Sequence, residues 1–258
     1  DLKVYDATIA LGVSTDTGDP TGEVEEERAV PDISEAQIKD VLAGFQGVRM
    51  QTPPRYSAVK VKGKPLYKYA REGKVVEARA RPIRIDHIEL VCHAGAELRV
   101  RIQCGRGTYA RVLANEIAEE LGSVGHLSAL RRDQSGIFTE ARAVGLERIS
   151  HIVADRDDWK QVLRPERGAE RVPWAPKDAV WKALQPFLFS PEQVLSHLPS
   201  VCLSASQRDR LLRGGIAPPA PSDVAVGSHF LAMGQDKAVA VIRREETGSK
   251  VARFISHA

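Results

Sequence analysis

Residues 96–113 read Ala-Glu-Leu-Arg-Val-Arg-Ile-Gln-Cys-Gly-Arg-Gly-Thr-Tyr-Ala-Arg-Val-Leu. In the first nine, Leu98, Val100, Ile102 and Cys104 alternate with Arg99, Arg101 and Gln103, the period of a half-buried strand. Gly105 and Gly107 break that period, and Thr108 fits the N-cap of a helix. Leu113, Ile117 and Leu121 then recur at helical spacing, with Gly122 where a C-terminal stop is expected. The stretch therefore predicts a strand passing through glycines into a helix over residues 108–121. Arg111 sits in that helix's first turn, where the backbone dipole favours acidic residues. Two readings follow. Arg111, directed away from the apolar stripe, awaits an anion, either a carboxylate or a phosphate. Alternatively it bridges to Asn115 or a surface carboxylate, an arrangement that stabilises by only ~0–1 kcal/mol.

Working outward, residues 83–92 and 96–104 form a hairpin that turns at Ala94-Gly95. Residues 34–46 read as a helix capped by Ser34, with Ile38, Val41, Leu42 and Phe45 buried and Gly47 ending it. Residues 2–9 read as a strand entering the turn-rich segment 15–22. A short strand over 57–61 and a helix over 65–72 follow Pro53-Pro54, and 127–134 carries the pair Arg131-Arg132. Residues 150–190 hold all three tryptophans (Trp159, Trp174, Trp181) without clean periodicity and read as a connecting region. From about residue 198, short apolar segments separated by glycine and proline predict a β-rich module of ~60 residues. The expected organisation is thus 1–150, 151–197 and 198–258.

A chain of 258 residues, 43% hydrophobic and 28% charged, accommodates one large domain and a small one. No apolar run approaches membrane-spanning length. Cys92, Cys104 and Cys202 form neither a metal-ligand pattern nor a disulfide framework, so a cytoplasmic location is expected. The net charge of +3 is unevenly spread. Residues 55–84 carry ten basic side chains against Glu72 and Glu77, a local +8, leaving −5 for the remainder. Tyr56, Tyr67 and Tyr69 are interleaved with them. Such a segment reads either as a solvated basic face or as an RNA surface, with cations for phosphates and rings for unpaired bases.

Three groups of residues, in this order, resemble the TruB family of tRNA pseudouridine synthases. The first is Lys3-Val4-Tyr5 with Leu11-Gly12-Val13-Ser14-Thr15-Asp16-Thr17-Gly18-Asp19 and Gly22. The second is Pro53-Pro54-Arg55-Tyr56-Ser57-Ala58-Val59-Lys60, continuing through Gly63, Tyr67 and Ala70-Arg71-Glu72-Gly73. The third is Gly107-Thr108-Tyr109 with Arg111, then Leu121-Gly122, His126-Leu127 and Leu130-Arg131-Arg132. A weaker fourth group, residues 189–198 with Leu212-Arg213-Gly214-Gly215, resembles the entry into the family's PUA-like C-terminal module.

The resemblance implies an α/β (α+β) fold on a long mixed, mainly antiparallel sheet, with a small β-rich PUA-like RNA-binding module. It implies a monomer that binds the T arm of tRNA and isomerises the T-loop uridine at position 55, without metal or organic cofactor. The N-glycosidic bond is cleaved, the base turns, and C5 rejoins the sugar. The base must first be flipped out of the loop. Tyr5 resembles the catalytic tyrosine beside the flipped uracil, and Arg111 the arginine that pairs with the catalytic aspartate. Tyr109 and Leu130 resemble pocket walls, Asp19 a polar residue near the pocket, and Lys60, Arg131 and Arg132 phosphate contacts. One departure stands out. The family's aspartate lies in a Gly-Thr-Leu-Asp-Pro-like loop ahead of the tyrosine strand, and no such motif occurs here. Asp16 and Asp19 belong to a different motif. The chain, which opens on Asp1-Leu2-Lys3 without methionine, is therefore expected to be a fragment, inactive alone, whose Arg111 lacks its partner. A non-catalytic RNA binder or tRNA-folding chaperone is the rival reading.

Overall fold

In the computed structural model, which describes residues 2–154 and 182–255, the hairpin read from the sequence becomes the centre of a sheet. Its strands are β7 (Arg81–Ala94) and β8 (Glu97–Cys104), turning at Gly95-Ala96, with Gly95 at a φ of 59°. β1 (Lys3–Leu11) pairs with β8 on one side and with β9 (Gly125–Ser135) on the other. β4 (Gly47–Gln51) and β10 (Phe138–Thr139) close the edges, giving the order β10-β9-β1-β8-β7-β4. Every pairing in this sheet is antiparallel.

Two helices cover one face. α1 (Glu35–Gly44) packs over β7, and its start carries the capping box of Ser34 with Gln37. α3 (Ala110–Glu120) packs over β9 and β1. Ile38, Leu42 and Phe45 of the first region meet Leu113 and Ile117 of the second above Ala7, Ile9, Val100 and Ile102. Fully burying each of these branched or aromatic side chains contributes about 1.5–3 kcal/mol. α3 ends as predicted. Gly122, at a φ of 82°, donates to Glu119, and Ser123 donates to Ala118, a pairing that satisfies the last carbonyls.

Its start differs from the prediction. The N-cap is Tyr109, not Thr108, and its side chain makes no capping hydrogen bond. The Thr108 hydroxyl instead donates back to the Gly105 carbonyl at 3.1 Å, closing the glycine turn before the helix begins. Two small β pairs stand outside this sheet. β2 (Val13–Thr15) with β3 (Val24–Glu27) flanks the turn segment, and β5 (Lys60–Val61) with β6 (Lys64–Pro65) leads into α2 (Leu66–Arg71).

The chain divides into two compact units after Ala143. The second holds α4 (Leu146–Ala154), α5 (Pro191–Val194) and α6 (Ala205–Leu212), with β11 (Ser200–Leu203), β12 (His229–Gly234), β13 (Lys237–Glu245) and β14 (Gly248–Phe254). These strands form one sheet in the order β11-β12-β13-β14, whose core includes Leu211, Phe230, Ala232, Ala240 and Ile242. The first strand of this sheet, β11, begins at Ser200. Trp159, Trp174 and Trp181 lie outside the described residues. No helix among the described residues is long and apolar enough to cross a membrane.

Candidate functional site

Arg111 projects from the first turn of α3 into the turn segment between β2 and β3. Its Nη1 donates to the Thr17 carbonyl at 3.0 Å and to Asp19 Oδ2 at 2.8 Å. Nη2 donates to the Tyr56 carbonyl at 3.1 Å. The Nε–H and the second Nη2 proton donate to no described residue. Both pair members are about a quarter exposed, so this is not a solvated surface bridge, and Asn115 is not the partner. The expectation that the partner of Arg111 is missing from the chain is corrected in part: Asp19 supplies a carboxylate to one end of the guanidinium. The reason is the fold of the loop, which neither motif spacing nor charge reveals.

Asp19 is itself held from several sides. Its Oδ1 accepts from the Thr17 hydroxyl at 2.8 Å, from the Thr21 backbone N–H at 3.0 Å and from the Thr21 hydroxyl. Burial alone would raise this carboxyl, but the Thr21 and Thr17 hydrogen bonds and the Arg111 charge outweigh it and hold it at about 2. Gly18 is required here twice over: its φ is 71°, and a Cβ would come within 3.3 Å of the Arg111 Cβ. Its carbonyl accepts from Leu127 of β9, fastening the loop to the sheet. Asp16 adds a second tie, accepting from the Tyr56 hydroxyl at 3.2 Å and the Glu23 N–H at 2.9 Å. The Asp16 charge raises the Tyr56 hydroxyl above its ordinary value.

The register sorts the remaining residues by face. Tyr5 stands opposite Ile102 and Arg132, and Leu130 opposite Ala7. Directly paired residues project to the same side of a sheet. Tyr5, Leu130 and Arg132 therefore share the helix-bearing side, where Tyr5 packs against the core and Leu130 remains 47% exposed. Arg131, grouped with Arg132 in the sequence reading, pairs with Asp6 on the opposite face and binds Glu140 and Asp133. The structure does not bring it to the other candidates. Tyr109 serves through its backbone at the helix entrance. Lys60 lies on β5, exposed and without an ion pair among the described residues.

The basic segment is more internally engaged than its sequence suggests. The Lys64 ammonium lies over the Tyr69 ring at 4.6 Å and pairs with Glu72, and Arg71 lies over Tyr67 at 5.5 Å. Together with the tie from Tyr56 to Asp16, this occupies all three tyrosines expected to stack on bases. Lys60, Lys62 and Lys68 make no ion pair among the described residues. Gln51, which nothing in the sequence singled out, is 2% exposed and bonds the backbone of Tyr109. Among the described residues no group of three or more His, Cys, Asp or Glu side chains could hold a metal ion.

Residues 1–110 match the TruB family pseudouridylate synthase N-terminal domain, and residues 111–168 match the tRNA pseudouridylate synthase B C-terminal domain. The tRNA pseudouridine synthase B of Hydrogenovibrio crunogenus is 38% identical over 213 residues, which are 83% of this chain and 60% of that protein. Its counterpart in Francisella tularensis subsp. novicida is 46% identical over 151 residues, 58% of this chain and 50% of that one. The chain thus spans half to three fifths of the length of these curated relatives. Among solved structures, a Cbf5–Nop10–Gar1 complex aligns over 99% of this chain and 66% of its own, with a TM-score of 0.65 at 22% identity, a likeness of fold.

Proposed function

The chain belongs to the TruB family of pseudouridylate synthases, and on that premise we propose that it forms the tRNA-binding surface and much of the active site of an enzyme making pseudouridine in the T arm of tRNA. The observation that carries this reading is the way Arg111 spends its donors. Nη1 and one Nη2 proton are committed to Thr17, Asp19 and Tyr56, which fixes the plane of the guanidinium. The Nε–H and one Nη2 proton stay uncommitted among the described residues, and these donors are available to a carboxylate. A catalytic aspartate bound by them is held in place and kept ionised.

The reaction then needs the following from this chain. The flipped uracil lies against Tyr5, with Leu130 as an aliphatic wall. The aspartate assists departure of the base from the ribose, the N1–C1′ bond breaks, and the base turns within the walls. C5 bonds to C1′, N1 takes up a proton, and the proton on C5 leaves, with Tyr5 beside it. Arg132 and Lys60 meet phosphates of the T arm from the side on which the base enters. The enzyme works as a monomer, without a metal.

Release of tritium from C5-labelled uridine in tRNA tests the proposal. A chain extended to the length of its relatives is expected to release the label from the T loop, and the 258-residue chain alone to bind tRNA without turnover. Tight binding with no release by the extended chain would point to an RNA binder or folding chaperone instead.

A further inference from the structure

Among the described residues Gln51 is the largest polar side chain that is fully buried, and both ends of its amide bond one residue. Its Oε1 accepts the Tyr109 N–H at 2.8 Å, and its Nε2 donates to the Tyr109 carbonyl at 3.3 Å. The reciprocal pattern leaves one orientation of the amide. Tyr109 is the N-cap of α3, and that helix start lacks the usual supports: no side-chain cap and no acidic residue in the first turn. Two residues beyond Tyr109 comes Arg111. Five residues beyond Gln51 comes Tyr56, whose carbonyl receives Arg111 Nη2.

We infer that Gln51 is a positioning residue: by pairing with the Tyr109 backbone it satisfies the N-cap N–H, as the Glu or Gln of a capping box would, and sets where the Arg111 guanidinium lies. A second tie between β4 and α3, the 3.4 Å pair of Arg49 with Glu116, lies farther along the helix. That tie holds the helix body, whereas Gln51 holds its entrance. The catalytic consequence rests on the function proposed above; the positioning itself does not.

The test uses NMR of the labelled 258-residue chain, following the Arg111 side-chain N–H signals and hydrogen exchange at the Tyr109 amide. Gln51→Met is expected to raise exchange at Tyr109 by about tenfold or more and to broaden or shift the Arg111 signals. Arg49→Met, which breaks the other tie, is expected to leave both readouts unchanged. Gln51→Glu supplies a readout that packing alone would not move. A protonated carboxyl reproduces the amide's acceptor and donor, whereas a carboxylate facing the Tyr109 carbonyl cannot. The Arg111 signals of that variant should return toward the wild-type position between about pH 8 and about pH 5. Arg81, which faces Gln51 across the β4–β7 pair, and Arg49, Glu116, Arg111 and Asp19 are the charged groups on the elements tied to it, and Gln51→Met at the same pH values controls for their titration. Unchanged exchange and Arg111 signals in Gln51→Met would overturn the inference, as would a pH-independent Gln51→Glu. If Gln51→Met does not fold, the Gln51→Glu result decides. A chain that passes these tests and yet, once extended, forms no pseudouridine would refute the proposed function and leave the role of Gln51 standing.

Discussion

Arg131 and Arg132 are adjacent on β9 and stand on opposite faces of the same sheet, and the two faces are built differently. On the Arg131 face the charges neutralise one another across strands: Asp6 binds Arg99 through two hydrogen bonds, Arg101 lies 3.4 Å from Asp133, and Arg131 is engaged by Glu140. A face so balanced has little to offer a polyanion. On the other, Arg132 keeps its charge without an ion pair among the described residues, beside Tyr5 and the half-exposed Leu130. Counting basic residues is therefore a poor guide to an RNA surface. What matters is which cations the fold leaves unspent.

After substitution of Arg111 itself, Asp19→Ala should have the largest effect, because it frees one end of Arg111 and unties the turn that carries it. In the extended enzyme kcat is expected to fall on the order of tenfold to a hundredfold, with tRNA affinity little changed. Arg132→Ala should weaken tRNA binding by roughly threefold to tenfold and lower the salt dependence by about one counterion. Arg131→Ala should change either by less than about twofold. Equal losses from the two arginines would erase the distinction between the faces. Within the basic segment, Lys60→Ala with Lys62→Ala should flatten the salt slope, whereas Lys64→Ala should not, since Lys64 is already paired with Glu72. Filter binding over a salt series measures all of these.

The smallest expected effect is on acid stability. Asp19 titrates at about 2 in the fold, below the usual carboxylate value near 3.9, so its contribution is complete above about pH 4. It is lost as the pH falls through about 2. Asp6, held low by its hydrogen bonds from Arg99, acts in the same direction on the other face. The Tm difference between wild type and Asp19→Asn should therefore shrink between pH 4 and about 2. A constant difference would mean that the Asp19 charge contributes nothing to stability.

Much of this architecture could be read from local pattern. The alternation at residues 98–104 and the helical spacing of Leu113, Ile117 and Leu121 predicted the central strand and helix because both bury one face. The motifs pointed to Tyr5, Asp19 and Arg111. Their mutual arrangement was not legible. Alternation puts Arg131 and Arg132 on opposite sides, but which of them joins Tyr5 depends on register. A bulge shifts that register between Val4 and Tyr5. The pairing of Arg111 with Asp19 and the burial of Gln51 join segments 92 and 58 residues apart. No periodicity within either segment encodes such a contact. Thr108 does not cap the helix, for a local reason: it stands one residue ahead of the N-cap, and its hydroxyl donates to the Gly105 carbonyl instead of accepting from the first-turn N–H groups.

The role of Arg111 as a holder of carboxylates can be tested with one variant. Lysine at this position keeps the charge and loses the planar fork. In an extended enzyme, Arg111→Lys should reduce tritium release from the T-loop uridine on the order of a hundredfold or more, while the Kd for the same tRNA moves by less than about threefold. Equal losses in release and in affinity would make Arg111 a phosphate ligand and contradict the account.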